Sequence, residues 1–199
     1  MITQQKLAVI LSLLKENPNP KYKLEQYSIV PAIAASVLFL AKKDIKNKVV
    51  YDLGCGSGRF AIGSALLGAK KVFGVDLDQE VLKVASSNAK LAQEKTGAEV
   101  IKRCEWVCMD VKKLSAKTDT VVQFPPFTGD MIFLRKALKI AKNVYSIHKL
   151  TETTKKKIKN ICKIFDAKIE LEKEFRYKLP WEEKGKIGYE VFLLVAKHK

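Results

Sequence analysis

Three glycines and two acidic residues form the first group in this sequence whose types and spacing suit a chemical function. The glycines alternate with other residues over Gly54–Gly58, directly after the short apolar segment Val49–Leu53. Glycine permits backbone angles that other residues avoid, and it lets a ligand approach the main chain closely. Asp52 precedes the glycines, and Asp76 ends a second apolar segment about 20 residues later, where a carboxylate can accept two ribose hydroxyls. The group predicts a site for a nucleoside-containing ligand.

The glycine spacing distinguishes this turn from the dinucleotide fingerprint. Gly58 falls one position before the third glycine of Gly-x-Gly-x-x-Gly. An acid directly before the glycines and another at the end of the second strand resemble the pattern of S-adenosylmethionine-dependent methyltransferases, and Asp52–Gly58 resembles their first motif. This resemblance implies S-adenosylmethionine as the cofactor. The alternative is an α/β domain that makes a tight turn here and binds no nucleotide.

The second group is Phe124, Pro125, Pro126 and Phe127, which follow the apolar segment Thr118–Gln123. It resembles the Asn/Asp-Pro-Pro-Tyr/Phe signature of methyltransferases that modify planar amino nitrogens. Such a nitrogen is a poor nucleophile because its lone pair is conjugated. In the signature, the first side chain and the carbonyl after the first proline accept its two hydrogens, which directs the lone pair at the methyl group. The prolines stiffen the turn, and the aromatic ring stacks on a base taken out of any duplex.

Further segments extend the resemblance from about Leu24 to near the C-terminus. They are Leu24-Glu25-Gln26-Tyr27, Asn47-Lys48-Val49-Val50, Asp76-Leu77-Asp78, Asp119-Thr120-Val121-Val122, Phe133-Leu134, Val144-Tyr145-Ser146-Ile147-His148-Lys149 and Arg176-Tyr177-Lys178-Leu179-Pro180. Together these segments resemble the small-subunit ribosomal RNA adenine-N6 methyltransferases of eukaryotes and their archaeal homologues. The resemblance implies an RNA substrate, most directly ribosomal RNA, and a small zinc-containing activator protein that pairs through a sheet edge.

The same resemblance implies roles for individual residues and requires no metal. In it Gln26 and Tyr27 close over the cofactor, Gly54, Gly56 and Gly58 let it approach, Asp52 orients its methionine end, Asp76 with Leu77 holds the ribose, and Asp110 with Val111 contacts the adenine. Two of these residues have plain alternatives: Tyr27 as a packing aromatic residue, and Asp110 as an acid that caps a turn. His148 is predicted to be structural rather than catalytic.

The sequence departs from the family at the reaction centre. Phe124 stands where the family has Asn, and a phenyl ring offers no conventional acceptor for an amino hydrogen. Loss of one directed polar group costs several kcal/mol of barrier. The loop after the motif is also short, since Thr128-Gly129-Asp130 leads almost at once into a helix.

Three hypotheses remain open. In the first, the protein still methylates adenine, and the Pro125 carbonyl shares the role of Asn with Gln123 or a water. In the second, it is a catalytically impaired, methyltransferase-like RNA-binding protein. In the third, it methylates another substrate, such as a protein glutamine. We favour the first because the rest of the family pattern is intact.

The elements that must position these groups alternate between strands and helices. Strands are predicted at Val49–Leu53, Lys71–Asp76, Cys104–Met109, Thr118–Gln123, Val144–His148, Lys168–Tyr177 and Tyr189–Ala196, and helices at Gln4–Lys15, Pro31–Lys42, Asp78–Lys95, Met131–Ala141 and Thr151–Phe165. This order predicts a single α/β domain over residues 1–199, with the N-terminal helices of residues 1–45 packed on it. Its fold is a Rossmann-like class I methyltransferase: a seven-stranded, mostly parallel sheet flanked by helices, with an antiparallel last strand.

Composition narrows the class of protein. The chain has 199 residues, 47% hydrophobic, with no apolar run of membrane-spanning length and no signal peptide, which predicts a cytoplasmic protein without a membrane partner.

Lys and Arg total 37 against 21 acidic residues, a formal charge of +16 that favours RNA or DNA as a partner. A heat-adapted surface is the alternative, although it predicts lysine matched by glutamate. The lysines of Thr151–Phe165 form a solvated face or contact phosphates. The four cysteines show no zinc spacing and are predicted to be reduced and mostly buried.

Overall fold

The loops that contain the predicted site residues follow the carboxyl ends of strands in one mixed sheet. The computed structural model describes residues 2–26, 28–178 and 188–198. The strands are β1 (Val49–Leu53), β2 (Lys71–Asp76), β3 (Cys104–Cys108), β4 (Thr118–Gln123), β5 (Ala141–Lys149), β6 (Ala167–Lys178) and β7 (Gly188–His198). They form one seven-stranded sheet in the order β3-β2-β1-β4-β5-β7-β6. Strands β1 to β5 pair in parallel, and β7 is antiparallel to both β5 and β6. The predicted mostly parallel sheet with an antiparallel last strand is confirmed.

The helices of the described residues cover both faces of the sheet. They are α1 (Gln4–Ser12), α2 (Pro31–Leu40), α3 (Lys42–Ile45), α4 (Arg59–Leu66), α5 (Gln79–Thr96), α6 (Val100–Arg103), α7 (Asp130–Ile140) and α8 (Glu152–Ile164), with short 3₁₀ turns at Tyr22–Leu24 and Val111–Lys113. None of them is both long enough and apolar enough to cross a membrane.

Two hydrophobic clusters hold the helices on the sheet. On one face, Leu7 of α1, Leu38 of α2 and Ile62 of α4 are fully buried in a cluster that also contains apolar residues of α5. On the other face, Leu138 of α7 and Ile158 of α8 are buried in a second cluster. The strand ends are therefore fixed from both sides, which gives the loops that follow them defined positions.

Several predicted boundaries shift by a few residues. The predicted helix Gln4–Lys15 ends at Ser12, and the Lys15 N–H instead donates to the buried side chain of Asn88 at 2.9 Å. The predicted helix Pro31–Lys42 ends at Leu40, and after Ala41 the short helix α3 begins at Lys42. The apolar spacing of α5 predicts that Val81, Leu82, Val84, Ala85 and Leu91 point inward. Val81, Leu82 and Ala85 are buried, whereas Val84 and Leu91 are only half-buried, and the polar Asn88 is buried on the same stripe.

The cysteines lie largely where the composition suggests. Cys55, Cys104 and Cys162 are buried, and Cys108 is exposed at the end of the edge strand β3. Burial raises the pKa of the Cys104 thiol to about 12, so this thiol stays protonated at neutral pH.

Candidate active site

A cavity of about 440 Å³ opens beyond the C-terminal ends of β1, β2 and β4. Ligands bind at this edge in open α/β sheets because the loops that follow parallel strands meet there. Its walls come from the glycine turn, the segment between α1 and α2, the turn after β3, the loop after β4 and the start of α7. The predicted site residues that line it are Gln26, Asp52, Gly54, Gly56, Asp76, Leu77, Asp110, Val111, Phe124 and Pro126.

The three glycines have different surroundings. Gly56 has a φ of +51°, and no heavy atom of the described residues lies within 4 Å of a Cβ placed there. Gly54 has a φ of +70°, and a Cβ on it would come within 3.1 Å of the Phe133 ring. Gly58 does not line the cavity. A Cβ at Gly58 would lie 2.7 Å from the Trp106 ring, so this glycine allows close packing of α4 against β3. Gly58 thus has a packing role in the structure, and its role in the approach of the cofactor stays a prediction.

Asp76 holds the glycine turn in place while lining the cavity. One of its carboxylate oxygens accepts from the Gly56 N–H at 2.9 Å, and the other accepts from the Asp78 N–H at 3.0 Å. Burial raises the pKa of Asp76, although the backbone N–H groups oppose that shift. Each carboxylate oxygen has more than one lone pair, so Asp76 can accept further hydrogen bonds from a ligand.

Asp52 is almost completely buried at the base of the cavity, with 1% of its surface exposed. Its Oδ2 accepts from the Ala61 N–H at 2.9 Å, in the first turn of α4. Burial raises the pKa of Asp52 to about 8; the Ala61 N–H acts in the opposite direction, and the charge of Asp76 adds to the rise. A cationic group bound beside Asp52 would favour its ionised form.

The turn after β3 supplies the third wall. Asp110 lines the cavity and also accepts from the Lys112 N–H at 2.9 Å, so the alternative role as a turn-capping acid is present in the structure. Val111 is buried beside it, whereas Leu77, on the loop after β2, is 58% exposed and still borders the cavity.

The segment between α1 and α2 (the 13–30 segment) forms the roof of the cavity. Gln26 lines it, and both ends of its amide are hydrogen-bonded: Nε2 donates to Asp78 at 2.9 Å, and Oε1 accepts from the Asn17 side chain and the Lys21 N–H. The Lys21 ammonium also contacts Asp78, at 2.8 Å. Burial alone would raise the pKa of Asp78, but these partners outweigh it and lower the pKa. Gln26 thus fastens the 13–30 segment over the cavity, and Tyr27 lies outside the described residues.

Two polar residues that the sequence analysis missed also hold the 13–30 segment. The buried Arg59 guanidinium donates to the backbone carbonyls of Ile29 and Leu14. Asn88 donates to the carbonyls of Lys15 and Ser57. A polar Asn on the apolar stripe of α5 was the one signal in the sequence that indicated such an anchor.

The loop after β4 (the 124–129 loop) closes the opposite end of the cavity. Phe124 and Pro126 line that end together with Ile132 and Phe133 of α7. Phe127 does not line it, because its ring packs edge-on against Phe124, with 5.9 Å between ring centroids. The role of Phe127 in stacking on a base stays a prediction.

Two further residues, Pro125 of the motif and Gln123 before it, are buried and are not among the residues that line the cavity. Pro125 is buried and does not line the cavity walls within the described residues. Gln123 is fully buried, and its Nε2 donates to the Ser146 hydroxyl at 2.8 Å. The geometry therefore gives no support to Gln123 as the substitute for the missing Asn.

The cavity combines two chemistries in one space. Asp52, Asp76 and Asp110 place acceptors around the glycine turn, while Phe124, Pro126 and Phe133 make the other end apolar and aromatic. The first end suits a polar ligand with hydroxyl and cationic groups, and the second suits a flat ring. Among the described residues, no group of His, Cys, Asp and Glu is arranged to hold a metal ion.

Comparison with known proteins identifies the class of protein to which this fold and cavity belong. The family model of the ribosomal protein L11 methyltransferase (PrmA) matches residues 31–123, which end just before the 124–129 loop. The crystal structure of PH1948 from Pyrococcus horikoshii superposes with a TM-score of 0.88 at 31% identity, over 98% of each chain. The sheet order, the glycine turn and the cavity at the carboxyl ends of the strands define a Rossmann-like class I methyltransferase.

Relatives that match along most of the chain narrow the class to a family. The protein MJ0284 of Methanocaldococcus jannaschii is 41% identical over 74% of this chain and 72% of its own length. The rRNA N(6)-adenosine-methyltransferase METTL5 of Danio rerio is 37% identical over 81% of this chain and 80% of its own length. The chain belongs to the METTL5 family of rRNA N(6)-adenosine-methyltransferases.

Proposed function

We propose that this protein transfers the methyl group of S-adenosylmethionine to the N6 amino group of an adenine in ribosomal RNA. The proposal rests on one observation: the acids around the glycine turn and the aromatic rings of Phe124 and Phe133 line one continuous cavity. The relatives named above support ribosomal RNA as the substrate class.

The residues around the glycine turn fit the proposed cofactor. The space beyond Gly56 is open to the ligand, and the cavity volume of about 440 Å³ lies in the range of small-molecule sites. In the proposal, Asp76 accepts the ribose hydroxyls, Asp110 and Val111 contact the adenine, and Asp52 faces the methionine ammonium. The sulfonium of the cofactor supplies an electrophilic methyl group when bound.

The aromatic end would hold the target base and exclude water from the reacting nitrogen. Phe124 and Phe133 offer ring surfaces against which a flat base packs, and the Pro125 carbonyl is proposed to accept one amino hydrogen. The chain provides one fewer directed acceptor than the family signature because Phe124 replaces Asn. No general base is required, since the amino proton can leave after methyl transfer.

The excess of basic residues supports RNA as the partner. The net charge is +16, and α8, which carries exposed lysines, begins after the carboxyl end of β5. We also propose a small zinc-containing activator protein that pairs with a sheet edge. In the described sheet the outer strands β3 and β6 each pair on one side only, which leaves edges for such a partner.

Methyl transfer from radiolabelled S-adenosylmethionine to unmodified ribosomal RNA, with and without the activator, tests the function. Digestion of the RNA should place the label in N6-methyladenosine. Label in another nucleoside or in protein would refute adenine as the target.

A second candidate, an RNA-binding protein without methyl transfer, follows from Phe124 alone. It predicts saturable binding of both S-adenosylmethionine and ribosomal RNA with no labelled product. Calorimetric titration of each ligand is run beside the transfer assay. A binding protein without activity gives no labelled product on any RNA that it binds, whereas an active enzyme gives product on at least one of them.

A further inference from the structure

Four buried polar side chains form a continuous hydrogen-bonded series behind the 124–129 loop. Gln123 Nε2 donates to Ser146 Oγ at 2.8 Å, Ser146 Oγ lies 2.8 Å from His148 Nε2, and His148 Nδ1 lies 3.0 Å from Asp130 Oδ2. Gln123, Ser146 and His148 are completely buried, and Asp130 is 7% exposed. We call this series the Asp130 network.

The position of the Asp130 network in the chain relates it to the loop. Gln123 is the residue directly before the 124–129 loop, and Asp130 is the residue directly after it. Ser146 and His148 lie on β5, which pairs with β4 and is held on its other side by β7. The network thus ties both ends of a loop that lines the cavity to one strand in the interior of the sheet.

The direction of each hydrogen bond follows from the chemistry of the groups. A carboxylate only accepts, so we assign the hydrogen between Asp130 and His148 to Nδ1. His148 Nε2 then accepts from the Ser146 hydroxyl, and Ser146 Oγ accepts from the Gln123 amide. A rotated Gln123 amide would place its oxygen against Ser146 Oγ with no hydrogen between them. With this neutral Nδ1–H form of His148, the unrotated Gln123 amide satisfies all the contacts.

This orientation leaves Gln123 Oε1 buried without a hydrogen-bond partner among the described residues. Replacement of a buried polar group by an apolar side chain of similar volume is often neutral or stabilising. Stability alone therefore does not require the Gln123 N–H, whereas one fixed position of the loop does, because a connected buried hydrogen-bond network specifies a single arrangement.

We propose that Gln123, Ser146, His148 and Asp130 are positioning residues that fix the 124–129 loop at the distance from the glycine turn required for methyl transfer. The proposal rests on the function proposed above. Fixing both loop ends matters more here than in a site with two side-chain acceptors, because the Pro125 carbonyl is a backbone group whose direction is set by the loop itself. A displacement of about 1 Å in such a group costs about a hundredfold in rate.

The decisive variant is Gln123→Met, which keeps the volume and removes the N–H. Thr120→Val is the matched control: Thr120 is a fully buried residue of the same strand whose hydroxyl donates to the Asp44 carbonyl of α3, outside the Asp130 network. In Gln123→Met we expect a kcat lower by about tenfold to a hundredfold, a dissociation constant for S-adenosylmethionine within about twofold of the original, and thermal stability that is not reduced. In Thr120→Val, stability should fall and kcat should not.

Amide hydrogen exchange gives a readout that does not depend on catalysis. Exchange at Phe127, Thr128 and Gly129 should be faster in Gln123→Met by about tenfold or more, with the glycine turn unchanged. If loop exchange and kcat in Gln123→Met match those in Thr120→Val, the proposal is wrong. If the unaltered protein transfers no methyl group, the proposed function fails, while the exchange result still decides whether the network fixes the loop.

Conservative substitution and the histidine tautomer complete the test. Asp130→Asn retains an oxygen acceptor for His148 and should keep most of the activity that Asp130→Ala loses. The protein has two histidines, His148 and His198, so ¹⁵N spectra recorded with and without His198→Gln identify the His148 ring. These spectra should show the Nδ1–H form; the Nε2–H form would overturn the assigned network even if Gln123→Met failed to fold.

Discussion

The Oδ2 atom of Asp76 accepts a hydrogen bond from the Gly56 N–H at 2.9 Å, so the acid proposed for the ribose also shapes the turn beneath the cofactor. Asp76→Ala should reduce S-adenosylmethionine affinity by at least about tenfold, because both the ribose acceptor and the turn geometry are removed. Isothermal titration calorimetry measures this.

Asp119 offers a matched control for Asp76. Its carboxylate accepts from the Val49 N–H at 3.0 Å, at the opposite end of the sheet. Asp119→Ala should lower the melting temperature and leave cofactor affinity within about twofold. Equal losses of affinity in the two variants would show that Asp76 acts only through stability.

Phe124 limits the chemistry in our proposal because its ring cannot accept an amino hydrogen. Phe124→Asn should raise kcat for RNA by about tenfold to a hundredfold, since one directed polar group is worth that much or more in the transition state. Single-turnover methyl transfer at saturating cofactor measures it. Phe124→Leu makes the side chain smaller without adding an acceptor and should not raise kcat. If kcat rises as much in Phe124→Leu as in Phe124→Asn, the effect comes from the added space and not from hydrogen bonding.

The raised pKa of Asp52, about 8, predicts how stability depends on pH. Between about pH 4 and pH 8 the folded protein keeps a proton on Asp52 that the unfolded chain releases. The free energy of unfolding should therefore fall as pH rises through this range. Urea titrations between about pH 5 and pH 8 should show this decline.

Asp52→Asn is the variant that isolates this carboxyl. The Asn oxygen can still accept from the Ala61 N–H, while the titration disappears. The decline with pH should be smaller in Asp52→Asn, though not absent, because the pKa of Asp76 is raised as well. A slope identical to that of the unaltered protein would contradict the raised pKa.

Gly56 and Gly58 should respond differently to alanine. Both have positive φ angles, but only Gly58 has a neighbour, Trp106, within 3.0 Å of the added Cβ. Gly58→Ala should cost about 2–4 kcal/mol of stability, and Gly56→Ala about 1–2 kcal/mol. Chemical denaturation measures both changes.

A second substitution separates backbone strain from overlap at Gly58. Trp106→Phe removes part of the ring that the new Cβ would meet, so Gly58→Ala should cost less in that background than in the unaltered protein. Trp106→Phe should not change the stability cost of Gly56→Ala. Gly56→Ala should instead weaken cofactor binding, because its Cβ would occupy open space at the cavity.

The exposed lysines Lys156, Lys157 and Lys159 of α8 are expected to bind RNA phosphates. Changing the three to Glu should weaken RNA binding and flatten the plot of log affinity against log salt. For single-stranded RNA the slope should change by about 0.7 for each phosphate that the protein no longer neutralises. Fluorescence anisotropy at several salt concentrations measures this slope.

A charge-matched control lies on the opposite face of the sheet. Lys83, Lys90 and Lys95 are exposed on α5, and reversing them changes the net charge equally. If both triple variants show the same fall in affinity and slope, attraction comes from overall charge and α8 has no special role in binding RNA.

Local sequence signals were sufficient for the framework of the fold. The bounds of β1, β2 and β4 agree with the prediction because each strand is a short apolar segment that ends at an acid or at a turn. The position of Gly56 at the cavity follows from the same local chemistry, since the turn needs a positive φ.

Residues whose surroundings come from distant segments were not predictable in the same way. Arg59 lies next to the glycine turn in sequence, yet its partners Leu14 and Ile29 belong to the 13–30 segment. The edge-on packing of Phe127 against Phe124 depends on how the 124–129 loop bends, and strand periodicity does not extend beyond Gln123. Side-chain direction in loops is set by tertiary packing, which a pattern of residue types does not contain.

The position of β7 has a consequence for how the protein is made. This strand lies between β5 and β6 and is the only partner of β6 within the described sheet. On a ribosome, β6 leaves the exit tunnel before the strand that will hold it. A nascent chain that stops before Gly188 therefore has an unpaired edge on β5 and a detached β6, both open to association with other chains. Completion of the sheet must wait until β7 has left the tunnel.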